Sequence, residues 1–281
     1  MTRRKIVKTV TGKHAVDGAG VHLVRVLGHD DVHDFDPFLM LDSFDSKNPE
    51  DYTAGFPMHP HRGIETITYL IRGKIEHQDS LGNKGDILSG QSQWMTAGSG
   101  IMHQEMPKAS DHMLGLQIWL NLPQSEKMAT PAYFDITQKQ IPAVDVEQGT
   151  VRVISGEYRG AKGVHPRHIQ ATLYDVSVDE NREIILPVKE EETVFVFLIE
   201  GDALIDETAI AVKTAVLFGP GDEIAVKAPA GSASRFVFFS GKPLHEPIAW
   251  GGPIVMNTQE ELRQAFSELQ NGRFIRENAL R

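Results

Sequence analysis

The 281-residue sequence contains no cysteine. Disulfides and thiolate metal sites are therefore excluded, and any metal must be held by His, Asp or Glu. Positive charge is also scarce: 28 Lys and Arg stand against 38 Asp and Glu, a formal net charge of -10. No basic run exceeds the "RRK" near the start, so direct binding to nucleic acid, which needs a basic surface, is not expected. Long apolar runs are missing too. Nothing approaches the roughly 20 residues of a membrane span, and "MTRRKIVKTVTGKHAV" lacks the apolar centre of a signal peptide. A cytoplasmic protein without membrane association is expected. With 41% hydrophobic residues it can bury a core, so disorder is not expected.

Helical patterning is nearly absent. "NTQEELRQAFSELQNG" is the clear candidate: Thr258 and Glu261 match a capping box, Leu262, Ala265, Phe266 and Leu269 form a stripe, and Gly272 suits the stop. Elsewhere, Gly- and Pro-containing turns such as "LGNKGD", "AGSG" and "GPGD" separate short β-rich runs such as "ETITYLI", "GLQIWLNL" and "VFVFLI". That pattern predicts an all-β protein of antiparallel sandwiches or barrels. The Pro-interrupted stretch from Asn121 to Thr150 reads as a linker. The halves echo each other, "YLIRG" then "GDILSG" against "FLIEG" then "GDEIAV". This repetition implies a duplicated domain, with a first domain over 1–133 and a second over 134–281.

"FPMHPHRGIETITYLIRG" carries the chemistry. His59, His61 and Glu65 share a parity, so on one continuous strand they face the same way. Ionisable groups facing a barrel interior need a partner, because an unpaired buried polar group is costly. Farther on, "AGSGIMHQE" adds His103 and Glu105, again of one parity.

These strings resemble the cupin superfamily, "HPHRGIE" its first motif and "AGSGIMHQE" its second. With "GLQIWLNLP" and "GKPLHEPIAWGGPIVMNTQEE", nearly the whole chain resembles the pirin family. The resemblance implies two tandem antiparallel cupin (jelly-roll) barrels with a short C-terminal helix, only the first barrel carrying metal. It places the ligands on His59, His61, His103 and Glu105. A general cupin would use Glu65 as the acid, whereas pirins use the Glu two places after the third His. Glu105 is therefore the expected ligand, and Glu65 is expected to orient a ligand His from behind. Counting back from Gly201 as from Gly73, the second half has Pro187, Lys189, Thr193 and Ser234 where the first has His59, His61, Glu65 and the third His.

Three imidazoles and a carboxylate suit one divalent metal and leave Fe(II), Ni, Co, Mn, Cu and Zn open; the resemblance to pirins implies iron(II). The implied activity is quercetin 2,3-dioxygenase-type cleavage of a flavonol by O2, with Glu105 as the base that removes the 3-hydroxyl proton. The alternative is a non-catalytic iron- or redox-responsive regulator that binds a protein partner. A monomer is expected in either case. The remaining histidines, including His77 and the "HPRH" at His165–His168, are expected to be ordinary surface or core residues.

Overall fold

The computed structural model describes residues 2–276. Cα packing divides the chain into two units. The first comprises His14–Val32, Phe38–Thr137 and the chain from Leu244 onward; the second comprises the N-terminal residues through Lys13, His33–Pro37 and Gln138–Pro243.

In the first unit a seven-stranded sheet runs in the order Ala132–Ile136, Gln91–Thr96, Ile64–Arg72, Met113–Asn121, Phe38–Ser46, Val21–Leu27, Lys13–Asp17. A four-stranded sheet follows the order Phe56–His61, Ile101–Pro107, Lys74–Asp79, Lys84–Leu88. The second unit repeats both sheets strand for strand. Its larger sheet is Ile6–Thr11, Thr214–Phe218, Thr193–Glu200, Ser234–Gly241, Thr172–Val178, Gly149–Ser155, Ala143–Val146. Its smaller sheet is Glu183–Pro187, Glu223–Lys227, Ala203–Ile205, Thr208–Ile210. The fold is thus all-β with a duplicated two-sheet barrel, as the weak sequence repeat implied. The helix Gln259–Gln270 carries the expected reciprocal cap between Thr258 and Glu261. Among the described residues, no helix is long and apolar enough to cross a membrane.

Two boundaries differ from the expectation. The division at 133/134 ignores the chain ends: Ile6–Thr11 pairs with Thr214–Phe218 in the second unit, and the segment after Pro243 packs in the first. Long-range contacts invisible to local composition decide both: strand pairing at the N-terminal end, and at the other end contacts such as Val255 N to the Arg62 carbonyl. The stretch read as a linker is also largely structured. Ala132–Ile136 is an edge strand on Gln91–Thr96, and Ala143–Val146 an edge strand on Gly149–Ser155. Polar composition suits strands with one open side.

The interiors of the two barrels differ in kind. In the second, Val196 pairs with Val216 and Phe238, all fully buried in one apolar cluster. Burying such side chains contributes about 1.5–3 kcal/mol each. In the first, the register-equivalent positions are Thr68, Gln93 and Gln117. Those three are also buried, yet polar. At this level one copy is filled by hydrocarbon; the other keeps a hydrogen-bonding interior.

Candidate metal centre

Residues 56–72 do not form one strand. Phe56–His61 lies in the four-stranded sheet and Ile64–Arg72 in the seven-stranded one, so the parity shared by 59, 61 and 65 does not carry across. The break needs Gly63, whose φ is +77°, and a Cβ there would meet the Val255 carbonyl oxygen at 1.9 Å. Glu65 consequently sits apart from the imidazoles. Its Oε1 accepts from Thr96 Oγ1 at 2.7 Å, and no ring nitrogen of His59, His61 or His103 hydrogen-bonds to it. Backbone carbonyls meet the Nδ1 atoms of His59 and His61 instead.

His59, His61 and His103 do converge. Their candidate ligand atoms lie within 4.8 Å of one another, the one such group of His, Asp or Glu among the described residues. Neighbouring strands bring them together, since His103 on Ile101–Pro107 is the direct cross-strand partner of His59. His59 Nδ1 lies 2.8 Å from the Pro57 carbonyl oxygen and His61 Nδ1 lies 3.0 Å from that of Pro253. A carbonyl only accepts, so each Nδ1 carries a proton, and Nε2 is the nitrogen left to ligate a metal. Those two Nε2 atoms face each other at 3.1 Å. Two lone pairs at that distance repel unless a cation lies between them. Two ligands at right angles around an ion, with bonds of about 2.1 Å, stand about 3 Å apart. His103 is fully buried, and neither of its nitrogens has a hydrogen-bond partner. The donor set fits a metal ion.

Burial holds the His61 and His103 rings in the neutral, ligating form. His61 is pulled down to about 3 by desolvation and then by His59. His103 is lowered well below the usual range by desolvation and by its neighbours His61, His59 and His77. An unfolded chain takes up these protons near pH 6.5, while the folded metal-free chain refuses them. The unfolded state then binds more protons, so stability of the metal-free protein should fall as pH drops from about 6.5 to about 3. Urea melts at stepped pH should show a shallower decline for His61→Gln than for wild type; parallel curves would contradict this account.

Glu105 shares the inward face of its strand with His103, where burial alternates along Ile101–Pro107. It is not part of the 4.8 Å group. The pairing of this strand with Phe56–His61 shifts register between His103 and Glu105. The Glu105 carboxylate is tied into the polar interior: Oε1 accepts from Thr68 Oγ1 at 2.7 Å and from Gln93 Nε2. Gln117 Oε1 lies 2.7 Å from the same Thr68 hydroxyl. Among the described residues, the side-chain hydrogen bonds of Glu105 all go to Oε1. Sequence reasoning missed Thr68, Gln93 and Gln117. The signal was available in the repeat, where polar residues replace Val196, Val216 and Phe238 of the second half.

His77 also lies closer to the site than its motif suggested. It is buried, pairs across strands with Glu105, stacks on Tyr133 with centroids 4.2 Å apart, and is 5.4 Å from the His103 ring. Its Nε2 is 3.2 Å from Asp79 Oδ2.

A cavity of about 570 Å3 opens onto His59, His61 and Glu105, with Phe44, Trp119 and Trp250 in its walls. Trp119 lies edge-on to His61 at 4.9 Å between centroids.

Comparison with known proteins matches residues 20–120 to the pirin sequence family and residues 173–275 to the pirin C-terminal cupin domain. The chain belongs to the pirin family. A pirin-like protein of Caulobacter vibrioides is 40% identical over 278 residues, covering 98% of this chain and all of that one. Human pirin is 39% identical, covering 96% and 93% respectively. The crystal structure of a quercetin 2,3-dioxygenase from Acinetobacter baumannii is 32% identical, with a TM-score of 0.89 over 97% of this chain and 99% of that one.

Strand registers also revise the positions of this pirin's second barrel that answer to the histidines. His61 pairs with Ile101 and His59 with His103; on the corresponding strands Pro187 pairs with Glu223 and Ile185 with Ala225. The counterparts of His59, His61 and His103 are therefore Ile185, Pro187 and Ala225. The count from glycine went astray because the connection from Pro187 to Thr193 is longer than that from His61 to Ile64. Ser234 belongs to Ser234–Gly241, the counterpart of Met113–Asn121.

Proposed function

We propose that this pirin is a metal-dependent dioxygenase that cleaves a flavonol-like aromatic with O2, releasing carbon monoxide. His59, His61 and His103 would hold one divalent metal, iron(II) by preference, with Glu105 as the fourth ligand and proton acceptor. One observation supports the reading above the rest: the paired imidazole lone pairs, a carboxylate and aromatic walls share one cavity of about 570 Å3. That is within the range of small-molecule sites, roughly 300–1,000 Å3. The likeness to the Acinetobacter quercetin 2,3-dioxygenase supports the same substrate class.

A metal bound there supplies Lewis acidity and a place for an oxygen donor. The chain's own residues do the rest. Thr68 and Gln93 hold Glu105 by one carboxylate oxygen, which leaves Oε2 for the proton of the substrate hydroxyl. Phe44, Trp119 and Trp250 offer flat apolar surface to a planar ring and displace water from the cavity.

The test is an anaerobic mixture of iron(II)-loaded protein and quercetin, then opened to O2. Quercetin absorbance should be stable before oxygen and fall afterwards, with carbon monoxide in the headspace. No oxygen-dependent loss with iron(II), Ni, Co or Mn in turn would sink this substrate assignment.

A further inference from the structure

We propose that the C-terminal segment is a working part of the metal centre, and that Arg62 and Lys127 are positioning residues that fix His61 through it. The inference rests on reading the histidine trio as a metal site. It begins with His61 itself, whose Nδ1 donates to the carbonyl of Pro253, in the turn between the short strands Ala249–Gly251 and Ile254–Met256. That contact selects which ring nitrogen remains to ligate, and carbonyl partners of this kind govern metal affinity.

The next two residues are held by the same segment. The Arg62 carbonyl accepts from Val255 N at 3.1 Å. Its guanidinium, only 2% exposed, donates to Ser99 O at 2.8 Å, Glu268 Oε2 at 2.7 Å and Phe274 O at 2.9 Å. It also lies 4.3 Å from the centroid of the Phe274 ring. Lys127, likewise 2% exposed, donates to Gly63 O at 2.8 Å, to Val255 O at 3.0 Å and to Asn121 Oδ1. Three acceptors use all three N–H groups of an ammonium.

Two buried basic side chains thus converge on the turn that follows His61, each bridging it to the C-terminal segment. If packing were all that mattered here, apolar side chains of similar volume would stabilise the fold as well or better. What apolar residues would not do is fix the direction of the backbone at 61–63 and of the Pro253 carbonyl. Trp250, from the same segment, supplies part of the cavity wall.

The experiment titrates the full-length protein with Co(II) against a competing chelator. Lys127→Met and Arg62→Met should weaken Co(II) binding by roughly 10- to 100-fold, the size expected when a ligand's orienting partner is lost. The NMR signal of the His61 Nδ1 proton should be lost or broadened in both. Val196→Ala, in the apolar core of the second unit, should lower the melting temperature and leave Co(II) affinity unchanged. If a Met variant fails to fold, Glu268→Gln, which removes only a charge, should still weaken binding toward the lower end of that range. Folded variants that bind Co(II) as tightly as wild type, with the proton signal intact, would overturn the positioning roles alone. A wild type that takes up no Co(II) would overturn the metal site with them.

Discussion

Leucine in place of His103 should make the metal-free protein more stable and abolish its response to metal. The two effects have opposite signs because one residue is the source of both. His103 is fully buried with neither ring nitrogen paired, and a buried unsatisfied polar group costs about 1–3 kcal/mol. Leucine removes that cost at little change in volume. Wild type, by contrast, should gain about 2.7 kcal/mol from a metal held at 100 times its Kd. Melting curves with and without Co(II) read both quantities. A metal-free His103→Leu protein less stable than wild type, or one whose Tm still rises with metal, would show that the site has been misread.

Glu105→Gln should reduce turnover of quercetin by roughly 100- to 10,000-fold, the usual contribution of a positioned base. The amide keeps the shape of the side chain but cannot accept the proton, so flavonol affinity should change far less than kcat. Metal content must be measured alongside, because Glu105 is also the proposed fourth ligand. Full turnover with normal metal content would remove Glu105 from the chemistry.

The histidines were legible because each sits in a short local string, and their convergence needs only adjacent strands. Glu65 was misplaced for a physical reason: parity reasoning assumes an unbroken strand, and Gly63 turns the chain into another sheet. The partners of Glu105 were hidden differently. Thr68, Gln93 and Gln117 lie in strands that read as ordinary β-sequence, and only cross-strand register assembles them. Contacts to the C-terminal segment were the least visible. His61 to Pro253, Arg62 to Glu268 and Lys127 to Val255 span separations at which a single sequence carries no pairing signal.

Such separations set the order in which the molecule can be made. Ile6–Thr11 leaves the ribosome early yet must wait for Thr214–Phe218 before it has a neighbour. The strand bearing His61 is synthesised in the first quarter of the chain, and its carbonyl partner Pro253 arrives near the end. The second barrel takes an edge strand from the far end of the sequence, and the first keeps its strands within residues 13–136 but is without the C-terminal segment until late. A nascent chain halted at residue 137 would have all three histidines and lack the acceptor for one of them, so the proposed site is complete only once Pro253 has been made. Pairings this distant also predict slow folding, with an unpaired N-terminal strand exposed in the interval.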